Sequence, residues 1–119
     1  MTTRKERLAL NQAAFRIANE RMSEWPERRD ERRSAGSSTY FCECSRTDCR
    51  AILRLTSDEY EAVRADSRRF AIAPGHEYAE VERWVDDHGR YAVVEKFEEV
   101  APIVEATDPR RADTEEVPA

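Results

Sequence analysis

A chain of 119 residues, 39% apolar and 38% charged, has material for one compact domain around a small core, with disordered ends. It contains no apolar run near the ~18 residues of a membrane-spanning helix and no signal-peptide pattern, so a soluble cytoplasmic protein with no membrane partner is expected. The net charge of −5 divides unevenly: residues 1–34 carry nine basic and six acidic side chains, and residues 35–119 carry 11 and 19, leaving an acidic body ill suited to non-specific nucleic-acid binding.

The first predicted element is a helix from Thr3 to Trp25. Leu8, Asn11, Phe15, Ala18, Met22 and Trp25 recur at spacings of three and four, which places them on one stripe. Thr3 and Glu6 have the spacing of a capping box. Pro26 marks a stop or kink. Beyond it lie a charge-dense run, Glu27 to Arg33, and a linker, Ser34 to Ser38. The helix can pack on its own domain, or dock on a protein partner or a second copy through residues 4–25. Both remain open at this point.

Thr39-Tyr40-Phe41-Cys42 and Arg50-Ala51-Ile52-Leu53-Arg54-Leu55 flank a cysteine-containing turn and read as the two arms of a β-ribbon. Thr56-Ser57-Asp58-Glu59 is a capping box opening a helix through about Ala65, with Tyr60 and Val63 on its buried side. Arg69 to Ala73 reads as a strand stopped by Pro74-Gly75. Residues 78–88 fit either a helix or a strand; a hairpin returning through Tyr91-Ala92-Val93-Val94 is preferred, because that return strand is the clearest in the chain. Val100 to Glu105 is a predicted short helix, and the polar stretch from Thr107 to Ala119 is expected to be disordered. The fold class is therefore α+β: an amphipathic N-terminal helical segment (1–33), a linker (34–38), a small metal-stapled domain of short antiparallel strands and one or two helices (39–106), and a tail (107–119).

All three cysteines fall in Cys42-Glu43-Cys44-Ser45-Arg46-Thr47-Asp48-Cys49. In a reducing compartment, thiols clustered this way are metal ligands more often than a disulfide framework. Cys42 and Cys44 point the same way along an extended segment, and the gap to Cys49 lets the chain turn back. Three thiolates leave one tetrahedral position for a distant residue. His76, fixed by Pro74-Gly75, is the favoured fourth ligand; His88 is the competitor. Glu77 is a candidate acceptor for the free ring N–H of His76. The expected ion is Zn(2+), since an iron–sulfur cluster would normally take four cysteines.

The string Phe41-Cys42-Glu43-Cys44, Asp48-Cys49, Glu59 to Asp66, Arg69-Phe70, Ala73-Pro74-Gly75-His76-Glu77 and Tyr91 to Lys96 resembles a group of small actinobacterial proteins. Its members share a helical N-terminus, the C-x-C-x4-C turn and a later Pro-Gly-His-Glu. No established activity attaches to that group, so the resemblance implies a site and no reaction. Cys42, Cys44 and Cys49 are also similar in spacing to the post-SET zinc segment of histone lysine methyltransferases, where a fourth cysteine from elsewhere completes the site; the methyltransferase domain itself has no counterpart here. A SWIM-type finger would need a histidine where this chain has Ala51.

Four protein ligands close a metal site, and a closed site is structural. The expected function is a zinc-stapled protein-interaction or regulatory module. The alternatives are nucleic-acid association through the arginines of 4–33, with Tyr40, Phe41 and Trp84 as stacking faces, and a thiol-based redox sensor in which Glu43, Asp48 or Glu77 assists as acid or base.

Overall fold

The computed structural model describes residues 3–22 and 38–110. The order is α1 (Arg4–Met22), β1 (Ser38–Phe41), β2 (Ile52–Leu55), α2 (Ser57–Arg64), β3 (Arg69–Ile72), β4 (Glu82–Asp87), β5 (Ala92–Lys96) and α3 (Ala101–Ala106). This is the expected α+β class, with every strand pair antiparallel.

β1 and β2 form the ribbon, with Phe41 opposite Ile52 at the end that opens into the cysteine loop. The other three strands make a sheet in the order β3-β5-β4. Central β5 buries Ala92, Val93, Val94 and Lys96, as a strand covered on both faces should. Residues 82–87 take the strand alternative and return through a turn at Gly89, whose φ is +80°. Their periodicity is ambiguous because β4 is an edge strand with most side chains exposed and a bulge between Trp84 and Asp86. The outer edge of β3 is covered by the cysteine loop: the Glu43 N–H donates to the Ala71 carbonyl at 2.8 Å.

Both predicted capping boxes form. The Thr3 N–H donates to Glu6 Oε1 at 2.8 Å while Thr3 Oγ1 accepts from the Glu6 N–H at 3.1 Å. At α2 the Thr56 N–H donates to Glu59 Oε1 at 2.7 Å, and Thr56 Oγ1 accepts from the Glu59 N–H at 3.0 Å. Tyr60 and Val63 are buried as expected, and the Tyr60 ring stacks on Tyr40 with centroids 4.4 Å apart. Tyr40 is thus a core residue, whereas Phe41 and Trp84 keep 38% and 39% of their surface exposed.

The buried stripe of α1 differs from the predicted one. Leu8, Ala9, Gln12, Ala13, Arg16 and Asn19 face the core. Of the predicted stripe only Leu8 is buried; Asn11, Phe15, Ala18 and Met22 are half-buried, and Trp25 lies outside the described residues. The cause is that the core offers acceptors to polar side chains. Arg16 donates to the carbonyls of Ser67 and Val104, each at 2.6 Å, and its guanidinium lies 4.3 Å from the Phe70 ring centroid. A helix that buries Gln, Arg and Asn carries no hydrophobic stripe to be read.

Residues Thr107 to Arg110, expected within the disordered tail, are placed: buried Asp108 pairs with Arg64, and Arg110 donates to Glu20 at 2.8 Å and to Glu61 at 2.7 Å. The rest of the tail expectation, and the linker up to Ser37, lie outside the described residues. Among the described residues no helix is long and apolar enough to cross a membrane.

Candidate metal centre

Two local structures build the centre. The first is the open end of the β1–β2 ribbon. One rung beyond Phe41, the Cys42 N–H donates to the Ala51 carbonyl at 3.1 Å, so Cys42 continues the strand. Cys44, two residues on, therefore projects to the same side. A turn from Arg46, whose carbonyl accepts from the Cys49 N–H at 3.2 Å, brings the third cysteine back.

The second is the turn after β3. The His76 N–H donates to the Ala73 carbonyl at 3.0 Å, with Pro74 and Gly75 in the central positions. Gly75 has φ +90°, a conformation other residues adopt only under strain. β3 is stitched to the first loop, since the Ala73 N–H donates to Cys42 Sγ at 3.1 Å. The Pro-Gly turn then aims the imidazole inward.

The outcome is a group of four. One ligand atom from each of Cys42, Cys44, Cys49 and His76 lies within 4.8 Å of every other. His76 Nδ1 is 3.5 Å from Cys42 Sγ and 3.6 Å from Cys49 Sγ. Cys42 and Cys44 are buried, Cys49 and His76 are half-buried, and all three cysteines are free of disulfides. His88 is elsewhere: exposed at the β4–β5 turn, it stacks on Tyr91 with centroids 4.6 Å apart.

The electrostatics of the group favour a cation. The Cys42 thiol hydrogen-bonds to Cys44 and lowers the Cys44 pKa; the Arg46 backbone, His76 and Cys49 add to this. The same bond, with burial, pushes Cys42 far above its ordinary value. A dication placed among these sulfurs would stabilise every thiolate at once.

The carboxylates considered for acid–base work have other surroundings. Glu43 is fully buried; its carboxylate accepts from Tyr60 Oη at 2.6 Å, Asn19 Nδ2 at 2.8 Å and the Ala71 N–H at 3.1 Å. Burial raises its pKa, and the three donors with nearby Arg16 oppose that rise. Asp48 is exposed and lies 3.4 Å from the Arg46 guanidinium. Glu77 is not bonded to His76: its Oε1 is buried without a hydrogen-bond partner among the described residues. Glu43, considered from the sequence as an acid or base, is instead a buried acceptor, and Asn19, which binds it, is the residue that sequence reasoning missed. The available signal was the C-E-C alternation, which turns residue 43 away from the thiols and into the core.

An ion held by all four donors in a tetrahedron would have no coordination position left for water or substrate. Compared with known proteins, the chain matches no family model, no curated protein and no solved structure.

Proposed function

We propose that this protein is a small zinc-binding module, with a closed structural site made by Cys42, Cys44, Cys49 and His76, that serves protein interaction or regulation. The observation that carries this reading is the convergence of the four ligand atoms within 4.8 Å from two loops far apart in sequence. In a tetrahedron with metal–sulfur bonds near 2.3 Å and metal–nitrogen bonds near 2.0 Å, sulfur and nitrogen donors stand about 3.5 Å apart. The separations of 3.5 and 3.6 Å from His76 Nδ1 match that edge. A soft Cys3His donor set favours zinc over calcium or magnesium.

The interaction role draws support from the surface around the site. Phe41 and Ile52 are cross-strand partners and stay 38% and 55% exposed beside the metal loop. Asn11, Ala14, Phe15 and Ala18 of α1 form, with Thr47 of that loop, an open groove of about 330 Å³. Nucleic-acid association draws less support, because three cations of α1 are committed within the fold: Arg4 to Glu80 at 2.9 Å, Lys5 to Glu99 at 2.9 Å, and Arg16 in the core.

The test is native mass spectrometry of wild type, His76→Ala and His88→Ala, with circular dichroism before and after a chelator. One zinc per chain, weakened by His76→Ala, untouched by His88→Ala and lost together with ordered structure, is the expected result. No metal, or full retention without His76, would overturn the assignment. Zinc released by low doses of peroxide would instead favour the thiol switch.

A further inference from the structure

The backbone through Phe41-Cys42-Glu43-Cys44-Ser45 serves two sides at once. Cys42 and Cys44 point to the metal group, and the alternate residues are gripped from the opposite side, chiefly by α1. Asn19 Oδ1 accepts from the Phe41 N–H at 2.8 Å, and its Nδ2 donates to the Phe41 carbonyl at 3.0 Å and to Glu43 Oε2 at 2.8 Å. Two turns earlier on the helix, Asn11 Nδ2 donates to the Ser45 carbonyl at 3.1 Å. One helix therefore holds the residue before the first cysteine, the residue between the two, and the residue after the second. Asn19 acts as a one-residue strand on the edge of β1, with both backbone groups of Phe41 satisfied by its amide.

We infer that Asn19, Asn11 and Glu43 are positioning residues for the metal site, and that metal occupancy and docking of α1 are coupled. This rests on the metal reading above and adds regulation to it. Residues 41, 43 and 45 meet their partners on α1 only while residues 42 and 44 are turned the other way, which is the arrangement the metal enforces. Coupling is reciprocal, so a helix that docks poorly must also loosen the metal. The groove bounded by Phe15, Ala18 and Thr47 has one wall on α1 and the other on the metal loop. Its shape follows the same equilibrium, which makes the candidate interaction surface dependent on bound metal.

The experiment uses the full chain loaded with zinc, its stoichiometry checked by native mass spectrometry. Zinc transfer to a chromophoric chelator is timed for wild type, Asn19→Leu and Val94→Ala. Val94 is fully buried in β5 and makes none of the contacts above, so its truncation destabilises by packing alone. Asn19→Leu is expected to release zinc about tenfold faster or more, within the usual span of coupling between sites. Val94→Ala is expected to melt earlier and release zinc at the wild-type rate. Amide exchange in α1 should rise on chelation ahead of exchange in β5. A chain that takes up no zinc overturns the metal reading and this inference with it. One zinc per chain, with Asn19→Leu releasing it at the Val94→Ala rate, overturns this inference alone.

Discussion

The Tyr60 hydroxyl donates a 2.6 Å hydrogen bond to Glu43 Oε2, inside a core where both side chains are fully buried. The pair joins α2 to the segment between two candidate ligands. Both oxygens of Glu43 accept bonds, Oε1 from the Ala71 N–H and Oε2 from Tyr60 and Asn19, so three donors converge on one buried carboxyl group. A buried carboxyl group at this point ties together α1, α2, β3 and the cysteine loop.

Removing one donor from that carboxyl group should be costly. Tyr60→Phe keeps the ring that stacks on Tyr40 and deletes only the hydroxyl. Depriving a buried polar group of its partner costs ~1–3 kcal/mol, so a loss of about 2 kcal/mol in urea denaturation is expected. A change within a few tenths of a kcal/mol would mean that Glu43 does not depend on this donor.

Two glycines separate the metal site from general stability. Gly75 and Gly89 have φ of +90° and +80°, and a Cβ on either meets nothing within 4 Å. Alanine at each position therefore incurs only the left-handed backbone cost, ~1–2 kcal/mol. In Gly75→Ala the strain falls beside His76, and zinc affinity should drop about tenfold or more, equivalent to ~1.4 kcal/mol or above. In Gly89→Ala the strain falls in the β4–β5 turn, so the melting temperature should fall with zinc affinity intact. Competition titration with a zinc indicator on both variants is the check, and equal affinities would remove the Pro-Gly turn from the site.

Much of this arrangement is legible in the amino-acid sequence where one residue type has one local cause. Thr56 with Glu59, and Thr3 with Glu6, announce their helices because caps depend on neighbours alone. The cysteine cluster and the Pro-Gly-His turn are legible for the same reason. What stays hidden depends on distant partners. Arg16 and Asn19 read as solvent-facing until the carbonyls of Ser67 and Val104 and the carboxylate of Glu43 are brought to them by the fold. Glu82 likewise reads as one more surface charge in a chain with 25 acidic residues, and the burial of Glu43 is equally hidden.

Glu82 makes a second buried centre with Lys96. The Lys96 ammonium lies 2.8 Å from Glu82 Oε1 with both side chains fully buried, and the Tyr78 N–H donates to Glu82 Oε2 at 2.9 Å. Burial lowers the Lys96 pKa, and the Glu82 carboxylate opposes that shift. Breaking such a pair from one side costs ~3–5 kcal/mol, whereas an apolar replacement of both partners is often neutral. Lys96→Met alone should be strongly destabilised, and Glu82→Leu with Lys96→Met should recover most of the loss. A double variant as unstable as the single one would show that the Tyr78 bond, and not the ion pair, is what the fold requires there.

Acid sensitivity should report on Asp108. Burial alone would raise its pKa, but the bond from Arg64, the Arg110 N–H and the charge of Arg16 outweigh it, so its carboxyl sits below the ordinary aspartate value. A lowered pKa means that the unfolded chain binds the proton first as the pH falls. Stability from this group is therefore full above the ordinary carboxylate range and is lost as the pH drops toward the folded-state value. Asp108→Asn should lower stability at neutral pH by ~3 kcal/mol, since it leaves buried Arg64 and Arg16 short of a counter-charge. It should also flatten the acid limb of the stability profile relative to wild type. Arg64 still pairs with Glu20 at 2.6 Å, which is why a folded variant with a shallower profile is expected instead of an unfolded chain. Chemical denaturation of both proteins across the acid range tests this, and parallel profiles would show that the Arg64–Asp108 pair does not set the acid response.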